Sequence, residues 1–219
     1  MGNILCDGSP IESDPRYRFQ GRQWETSMMD APCNNCKGCF LAMFCPCCFA
    51  YHLRVLALEG RMENYSCCQG YLCPTCTSKC IPGQDSCPEF CLCLEVTLCE
   101  NFAISSTRFY IQDQRQIMTD PCDNRIIRFN NCVQILSFVC HILAIFFREL
   151  RHLAHLLDLF ADLVYCMVQA CMQAQTHHEL TLHPTAVDYG QAPRTITQQP
   201  TASDKAPLMG HQAPPAYSE

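Results

Sequence analysis

Residues 39–47 constrain this chain more than any other segment, because they place three cysteines in an otherwise apolar run. The run reads Cys-Phe-Leu-Ala-Met-Phe-Cys-Pro-Cys and contains no acidic or basic side chain. Thiols at this density in an apolar segment bind a metal, pair as disulfides, carry acyl chains or pack as small hydrophobic side chains. Which of these four roles the cysteine side chains take decides most of what the chain can do.

Cysteine also dominates the composition outside that run. The chain has 219 residues and 21 cysteines, of which 15 fall within residues 33–99. In a short secreted chain such a density would indicate a disulfide scaffold. The N-terminus, however, has neither the basic region nor the apolar core of a secretory signal. We therefore expect a reducing, cytosolic setting in which most thiols remain free to act as ligands or acylation sites.

The first six residues predict lipidation. Gly2 follows Met1, and Cys6 stands where the myristoylation pattern has Ser or Thr. A cysteine beside a myristoyl group also suits palmitoylation, and two acyl chains give stable anchoring where one gives only marginal binding. We expect Gly2 and Cys6 to be lipidation sites that hold the chain on the cytosolic face of a membrane.

The positions of proline predict long helices in the C-terminal half of the chain. Asp120 is a suitable N-cap before Pro121, and no further proline occurs until Pro184. Residues 129–147 carry no charge and would span about 28 Å as a helix, close to the thickness of the hydrocarbon core of a bilayer. This is the candidate membrane segment.

One narrow polar stripe crosses the candidate membrane segment. Its members recur at spacings of 4, 3 and 4 residues: Asn130, Gln134, Ser137 and His141. Such a stripe faces a partner helix more often than lipid. Residues 149–182 continue as an amphipathic helix, which either lies on a membrane or packs against the preceding helix.

The chain therefore divides into four regions. Residues 1–31 are polar and form a flexible leader. Residues 32–148 form a cysteine-rich domain with irregular loops held by its cysteines, and residues 149–182 form the amphipathic helix. Residues 183–219 are rich in Pro, Gln, Thr and Ala and form a disordered tail. The expected fold class is a small, mainly α, membrane-associated domain with a long C-terminal helical region and disordered tails.

Several cysteines are spaced as metal ligands. A CxxC in a tight turn aims two sulfurs at one point, and two such pairs make a tetrahedral thiolate site that favours zinc or cadmium over magnesium. The candidate zinc ligands are Cys33, Cys36, Cys39, Cys45, Cys47, Cys73, Cys76 and Cys80. The alternatives are that these thiols pack in the core, are acylated, or pair as disulfides.

The C-terminal tail carries a partner-binding motif. Pro214, Pro215, Ala216 and Tyr217 fit the PPxY pattern that WW domains bind. The two prolines favour a polyproline II turn that fits between aromatic rings, and the tyrosine fills a second pocket. We expect Pro214, Pro215 and Tyr217 to recruit a WW-domain protein.

The Cys-rich run resembles the signature of the placenta-specific-gene-8 family. That signature is a cysteine pair or Cys-Leu, four residues, and then Cys-Pro-Cys, and here Cys39 and Phe40 precede Cys45, Pro46 and Cys47 at the same spacing. Three shorter stretches that are similar to the family's sequence follow in the family's order. They are residues 49–52, residues 58–60 with the cysteines at 67–68, and residues 107–123. The family's closing cysteine run is represented only by Cys132 and Cys140. The resemblance covers residues 33–147.

The resemblance implies a small membrane-associated protein, often of the plasma membrane, of a kind linked to divalent-metal export or tolerance or to organ size. It implies no shared catalytic activity. The residues add no phosphate-binding loop and no distinctive nucleophile, so we expect no enzyme. The formal net charge is −6 and no basic patch occurs, so we expect no nucleic-acid partner.

Three functions fit these observations. The first is a membrane-associated, zinc-binding regulatory or adaptor protein whose tail recruits WW-domain partners. The second is a factor for export or tolerance of zinc or cadmium, and the third is a soluble structural zinc-binding module. Membrane lipids are expected partners in the first two, and a homo-oligomer is compatible with the sequence.

Overall fold

The computed structural model describes residues 22–71 and 86–184, together with Gly8, Asp14, Arg16 and Phe19. Within this part 79% of the residues are helical and no β-strand occurs, which confirms the mainly α fold. The α-helices are, in order, α1 Ala31–Asn34, α2 Cys36–Phe44, α3 Pro46–Ala57, α4 Pro88–Leu98, α5 Glu100–Arg115, α6 Pro121–Phe146 and α7 Arg151–Leu182. Short 3-10 turns cover Met62–Asn64, Cys67–Gly70 and Arg148–Leu150.

Proline and its neighbours set where three of these helices begin. Pro46, Pro88 and Pro121 each stand in the first turn of their helix, where the missing N–H costs no hydrogen bond. The carboxylate of Asp120 accepts the N–H of Cys122 at 2.7 Å, so the predicted N-cap of α6 is confirmed.

Two apolar clusters form the core of the helical body. One joins α3, α4, α5 and α7 through side chains that include Leu92, Ile104 and Met172. The other joins α2, α3, α5 and α7 through Phe49 and Ile111, among others. The C-terminal half of α7 therefore runs through the centre of the body.

Three buried arginines each pair with a buried carboxylate on another helix. The pairs are Arg54 with Glu95 at 3.1 Å, Arg108 with Asp123 at 2.7 Å and Arg115 with Glu179 at 2.9 Å. All six residues are at most 4% exposed. Because a buried charge without a partner is costly, these pairs fix how α3 to α7 sit against each other.

The predicted leader, residues 1–31, differs from the structure at its C-terminal end. Trp24 and Met28 are buried in the two core clusters, and the N–H of Met28 donates to Asp123 at 3.1 Å. Residues 22–31 therefore belong to the helical body, since an indole and a thioether gain more by burial than by remaining in water. Residues 1–21 lie outside the described residues, apart from the four named above.

The two ends of the continuously described chain, at residues 22–25 and 179–183, meet on the body. Arg22 Nη2 lies 2.8 Å from Glu179 Oε1, and His183 Nε2 lies 3.0 Å from Glu25 Oε1. The predicted amphipathic helix, residues 149–182, is likewise not a separate region, because its second half is buried in the body. The remainder of the predicted tail, residues 185–219, lies outside the described residues.

Candidate functional site

Helices α6 and α7 form an antiparallel hairpin joined by the turn Arg148–Leu150. The side-chain amide of Gln134 donates to the carbonyl oxygen of Ala161 at 2.8 Å, and Ser137 Oγ donates to Asp158 Oδ1 at 3.1 Å. His141 Nε2 lies 3.3 Å from the same Asp158 oxygen. The prediction that the polar stripe of this segment faces a partner helix is therefore confirmed, and the partner is α7.

Large apolar side chains cover the outside of this hairpin. Sixteen of them are exposed: Phe129, Ile135, Leu136, Phe138, Val139, Ile142, Leu143, Ile145, Phe146, Phe147, Leu153, Leu156, Leu159, Phe160, Leu163 and Met167. Ile145 and Phe146 at the turn are 77% and 74% exposed. Exposed Asn131, His155 and Asp162 interrupt this surface. So many exposed large apolar side chains are nevertheless uncommon on a protein surrounded by water and indicate a binding surface.

Both hairpin helices are long and apolar enough to cross a membrane. Over their most apolar windows, the mean hydropathy is 1.7 for Pro121–Phe146 and 1.4 for Arg148–Leu182. Only 22% of the residues in the first window and 28% in the second are buried in the protein. The candidate membrane segment, residues 129–147, falls almost wholly within α6. These properties support membrane association of the chain.

A second feature is a cluster of two cysteines and a carboxylate. Ligand atoms of Cys67, Cys68 and Glu95 all lie within 4.8 Å of one another, and they are the one group of three such side chains in the part of the chain that the structure describes. Glu95 comes from α4, while the cysteines come from the 3-10 turn Cys67–Gly70. Cys68 and Glu95 are buried, and Cys67 is half-buried.

The turn that carries these cysteines has an unusual backbone. Cys68 and Gln69 have φ of 47° and 48°, and Gly70 has φ of 76°, so three successive residues are left-handed. Left-handed conformations are unfavourable for residues other than glycine and collect at functional sites. The N–H of Cys68 donates to Glu95 Oε2 at 2.9 Å, which holds the turn against α4.

The two thiols of this cluster differ in acidity. The S–H of Cys68 donates to the sulfur of Cys67, and this bond lowers the pKa of Cys67. The same bond, together with burial and the nearby carboxylate of Glu95, raises the pKa of Cys68. Burial and Glu95 also raise the pKa of Tyr65, whose hydroxyl donates to Glu95 Oε2 at 2.9 Å. Cys67 is therefore the thiol that becomes a thiolate first, and thiolate is the form that binds metal.

The cluster supplies part of a tetrahedral thiolate site. It offers a soft cation two sulfurs and one oxygen, whereas zinc in structural sites takes four protein ligands. Glu95 Oε1 is also 3.1 Å from Arg54 Nη2, so a cation bound there shares the carboxylate with a guanidinium. Cys73, Cys76 and Cys80, which were predicted as ligands, lie outside the described residues.

The structure separates the other predicted zinc ligands. Cys33 and Cys36 are exposed on α1 and α2, and the thiols of Cys39 and Cys171 are hydrogen-bonded between α2 and α7. Cys45 is exposed at the break between α2 and α3, and Cys47 packs half-buried against the core. The structure does not bring three of these five together, and their role as ligands stays a prediction. The seventeen cysteines in the described residues are free thiols.

Sequence reasoning missed Glu95 as a member of this cluster. The available signal was Glu95, the one acidic residue in the apolar stretch 90–98 of α4, together with Arg54, the one arginine in the apolar helix α3. Isolated opposite charges in two apolar helices indicate a buried pair.

The lipidation sites Gly2 and Cys6 and the motif residues Pro214, Pro215 and Tyr217 lie outside the described residues.

Comparisons with protein-family models, curated proteins and solved structures find no match to this chain. The resemblance to the placenta-specific-gene-8 family thus stays a proposal that depends on the cysteine signature and the three stretches that follow it.

Proposed function

We propose that this protein is a membrane-anchored regulatory or adaptor protein, in which the α6–α7 hairpin inserts into a bilayer and the C-terminal tail recruits a WW-domain protein. The exposed apolar surface of the hairpin carries this proposal. That surface has the length of a bilayer core, and Gln134 and Ser137 of α6 are hydrogen-bonded to α7 rather than directed outward.

The anchored body is proposed to lie on the cytosolic face of the plasma membrane. Acyl groups at Gly2 and Cys6 add a second attachment. A hairpin returns the chain to the side from which it entered, so the N-terminal acylation sites and the C-terminal PPxY motif share one side of the membrane. WW domains are found in ubiquitin ligases, so ubiquitin-linked sorting of a membrane protein is the natural task of such an adaptor.

Alkaline extraction of cell membranes tests the anchor. With Gly2→Ala and Cys6→Ser present, we expect the chain to stay in the membrane pellet, because the hairpin alone holds it. Adding Ile145→Asp and Phe138→Asp should release it, since two carboxylates in hydrocarbon are strongly unfavourable. Met29→Asp is the matched control, because Met29 is 67% exposed but lies on the body beside Met28. If the Gly2→Ala, Cys6→Ser chain with an unchanged hairpin were released from the membrane pellet, the soluble zinc-binding module would be favoured.

Capture by an isolated WW domain tests the adaptor role. We expect the full chain to bind and Tyr217→Ala to abolish binding, because the tyrosine fills its own pocket. Pro207→Ala, in the same tail but outside the motif, is the control. Equal capture of the Tyr217→Ala chain would refute the adaptor role and leave the anchor unaffected.

A second candidate function is binding of a soft divalent cation for export or tolerance. The cluster of Cys67, Cys68 and Glu95 favours it, because two thiols and a carboxylate select zinc or cadmium over magnesium. Cadmium titration of the purified chain, followed by thiolate-to-cadmium charge-transfer absorbance, is expected to show a site that Cys67→Ser weakens and Cys87→Ser does not. Equal affinities in both variants would remove the cluster as the site.

A further inference from the structure

Two helix breaks lie beside the base of the hairpin. Asn35 Nδ2 donates to the carbonyl oxygen of Ala174 at 2.9 Å, and the thiols of Cys39 and Cys171 are hydrogen-bonded. Continuing this antiparallel register of α2 and α7 places the break at Cys45 level with Tyr165. The break between α4 and α5 lies at the same level, because Asn101 and Gln169 are hydrogen-bonded at 2.7 Å.

This level is also where the apolar surface of the hairpin begins. The register of α6 and α7, set by Gln134 on Ala161, places Arg128 level with Met167. Arg128 is the last charged residue of α6 before its uncharged segment. A bilayer that covers the apolar surface therefore has its boundary near Met167, and the break at Cys45 reaches that boundary.

The side chains at the two breaks fit a membrane boundary. Phe44 is 71% exposed and Leu98 is 76% exposed, and each stands at the end of its helix. Phe40 on α2 and Phe102 on α5 extend this apolar surface. We call these four side chains the apolar collar.

Exposed thiols stand beside the apolar collar. Cys45 follows Phe44 directly and Cys99 follows Leu98, and both thiols are exposed, as are Cys48 and Cys93 on the adjoining helices. Cys45 and Cys48 are hydrogen-bonded to each other, and this bond raises the pKa of Cys48, which makes Cys48 the donor and Cys45 the acceptor. By contrast, Cys68 and Cys91 are buried in the body.

We propose that Cys45, and secondarily Cys48, is S-acylated with a long-chain fatty acid that enters the bilayer beside the apolar collar. The proposal rests on the membrane anchoring proposed above, because the collar reaches lipid only when the hairpin is inserted. It assigns the exposed thiols of Cys45 and Cys48 to lipid attachment, and it leaves metal binding to Cys67 and Cys68.

The reaction needs an acyl-coenzyme A as acyl donor and involves no net redox change. The Cys45 thiol loses its proton, and its sulfur attacks the thioester carbonyl of the donor. The bond between that carbonyl and the coenzyme A sulfur breaks as the new thioester forms. Coenzyme A leaves as a thiolate and takes up a proton. An exposed thiol at the membrane boundary can meet a donor whose acyl chain lies in the bilayer.

The geometry favours acylation over metal binding at this break. Among the described residues, Cys45, Cys47 and Cys48 do not belong to any group of three ligands within reach of one ion. The thiol of Cys47 is half-buried against the core, so it is not free to join the other two in a site. Two exposed thiols that face an apolar collar instead match a lipid modification.

Thioester-specific labelling tests the proposal on the full chain expressed in eukaryotic cells, with Cys6→Ser present to remove the N-terminal site. Free thiols of the membrane fraction are blocked with N-ethylmaleimide, thioesters are cleaved with hydroxylamine, and the released thiols are tagged with a PEG-maleimide. We expect hydroxylamine treatment to shift the chain on a gel, and we expect the Cys45→Ser chain to carry one PEG tag fewer. Cys91→Ser, which changes a buried thiol, is expected to keep the full shift.

The tryptic peptide 38–54 contains Cys39, Cys45, Cys47 and Cys48. Fragmentation of this peptide by tandem mass spectrometry locates an acyl group on Cys45 in the unsubstituted chain and does not depend on any variant folding. An acylated peptide supports the proposal. A membrane-bound chain with free Cys45 refutes acylation and leaves the anchor standing, whereas a soluble chain with free Cys45 refutes both. A third outcome assigns the break to a metal instead of an acyl group. In that case N-ethylmaleimide labels Cys45 only after a chelator is added, and hydroxylamine has no effect.

Discussion

Arg54 is fully buried, and every contact it makes is to another buried group. Its guanidinium donates to Glu95, to Ser106 and to the carbonyl oxygen of Ala103, and its Nε donates to Thr107. Removing one partner of such a pair leaves an uncompensated charge in a medium of low dielectric constant. The pair therefore determines whether α3, α4 and α5 can pack at all.

Replacement of Arg54 is predicted to destabilise the body strongly. Arg54→Leu should lower the free energy of unfolding by about 3–5 kcal/mol, because Glu95 is left buried and unpaired. The double change Arg54→Leu with Glu95→Leu should recover most of this loss, since it removes both charges. Urea unfolding in detergent micelles, followed by circular dichroism, measures both.

The control for that series is Arg61→Leu. Arg61 pairs with Glu59 at 2.6 Å, but its side chain is 58% exposed. A solvent-exposed pair contributes little, so a change within about 0.5 kcal/mol is expected. If Arg54→Leu and Arg61→Leu behaved alike, the buried pair would not hold the helices together.

At the same scale, Cys67 is predicted to react at a lower pH than an ordinary cysteine. Its pKa is lowered by the S–H of Cys68, so the thiolate fraction rises as the pH increases through a midpoint below the usual value of about 8.5. The rate of alkylation by iodoacetamide, followed by peptide mass spectrometry against pH, measures the midpoint. Cys68→Ala removes the donor and should move the midpoint upward.

Cys87 serves as the internal reference in that measurement, because it is exposed and lies outside the cluster. A midpoint for Cys67 equal to that of Cys87 would contradict the assignment of Cys67 as the more acidic thiol.

At the scale of elements, small side chains let the two hairpin helices approach. Ala144 on α6 and Ala154 and Ala161 on α7 are buried between them, at 8%, 1% and 1% exposure. The two alanines of α7 are seven residues apart, so they lie on one face of the helix. The larger apolar side chains are left to point outward.

Enlarging one of these alanines is predicted to open the hairpin. Ala161→Leu overpacks the contact at which Gln134 donates to the Ala161 carbonyl, at an expected cost of about 1–3 kcal/mol. Trypsin cleavage after Arg148 and Arg151 in detergent should become faster. Leu159→Phe adds bulk on the exposed face, where Leu159 is 69% exposed, and should leave the cleavage rate unchanged. Equal rates for both variants would argue against the close packing.

At the scale of the whole molecule, a hairpin that spans the bilayer must show its turn on the far side. Glu149 lies in that turn, so Glu149→Cys should gain labelling by a membrane-impermeant maleimide on intact cells. Met29→Cys, on the body, should remain unlabelled until the membrane is permeabilised. Labelling of neither variant before permeabilisation would place the whole hairpin within one face of the membrane.

The sequence predicted the mainly α fold class and the long C-terminal helices, whereas it did not predict the tertiary contacts. The N-cap at Asp120 and the length of α6 follow from local rules, because they depend on neighbours in the chain. The pairing of Arg54 with Glu95 joins residues far apart in sequence, and its only signal is an isolated charge in each of two apolar segments. The lone tryptophan, Trp24, suggested docking either on the domain or at a membrane interface, and only the structure shows that it is buried in the domain.

The contacts of Arg22 with Glu179 and of Glu25 with His183 bring residues 22–25 beside the C-terminal end of α7. With α7 rising from Met167 to Leu182, that end stands about 22 Å above the membrane boundary. Gly8, however, is buried against the start of α6, where Nδ2 of Asn124 donates to its carbonyl oxygen at 3.2 Å. The six residues from Gly2 to Gly8 can extend about 20 Å, so they can reach the lipid surface. A tether of this reach would let acyl groups at Gly2 and Cys6 tilt or steady the body, and with it the origin of the tail that offers Tyr217 to a visiting domain.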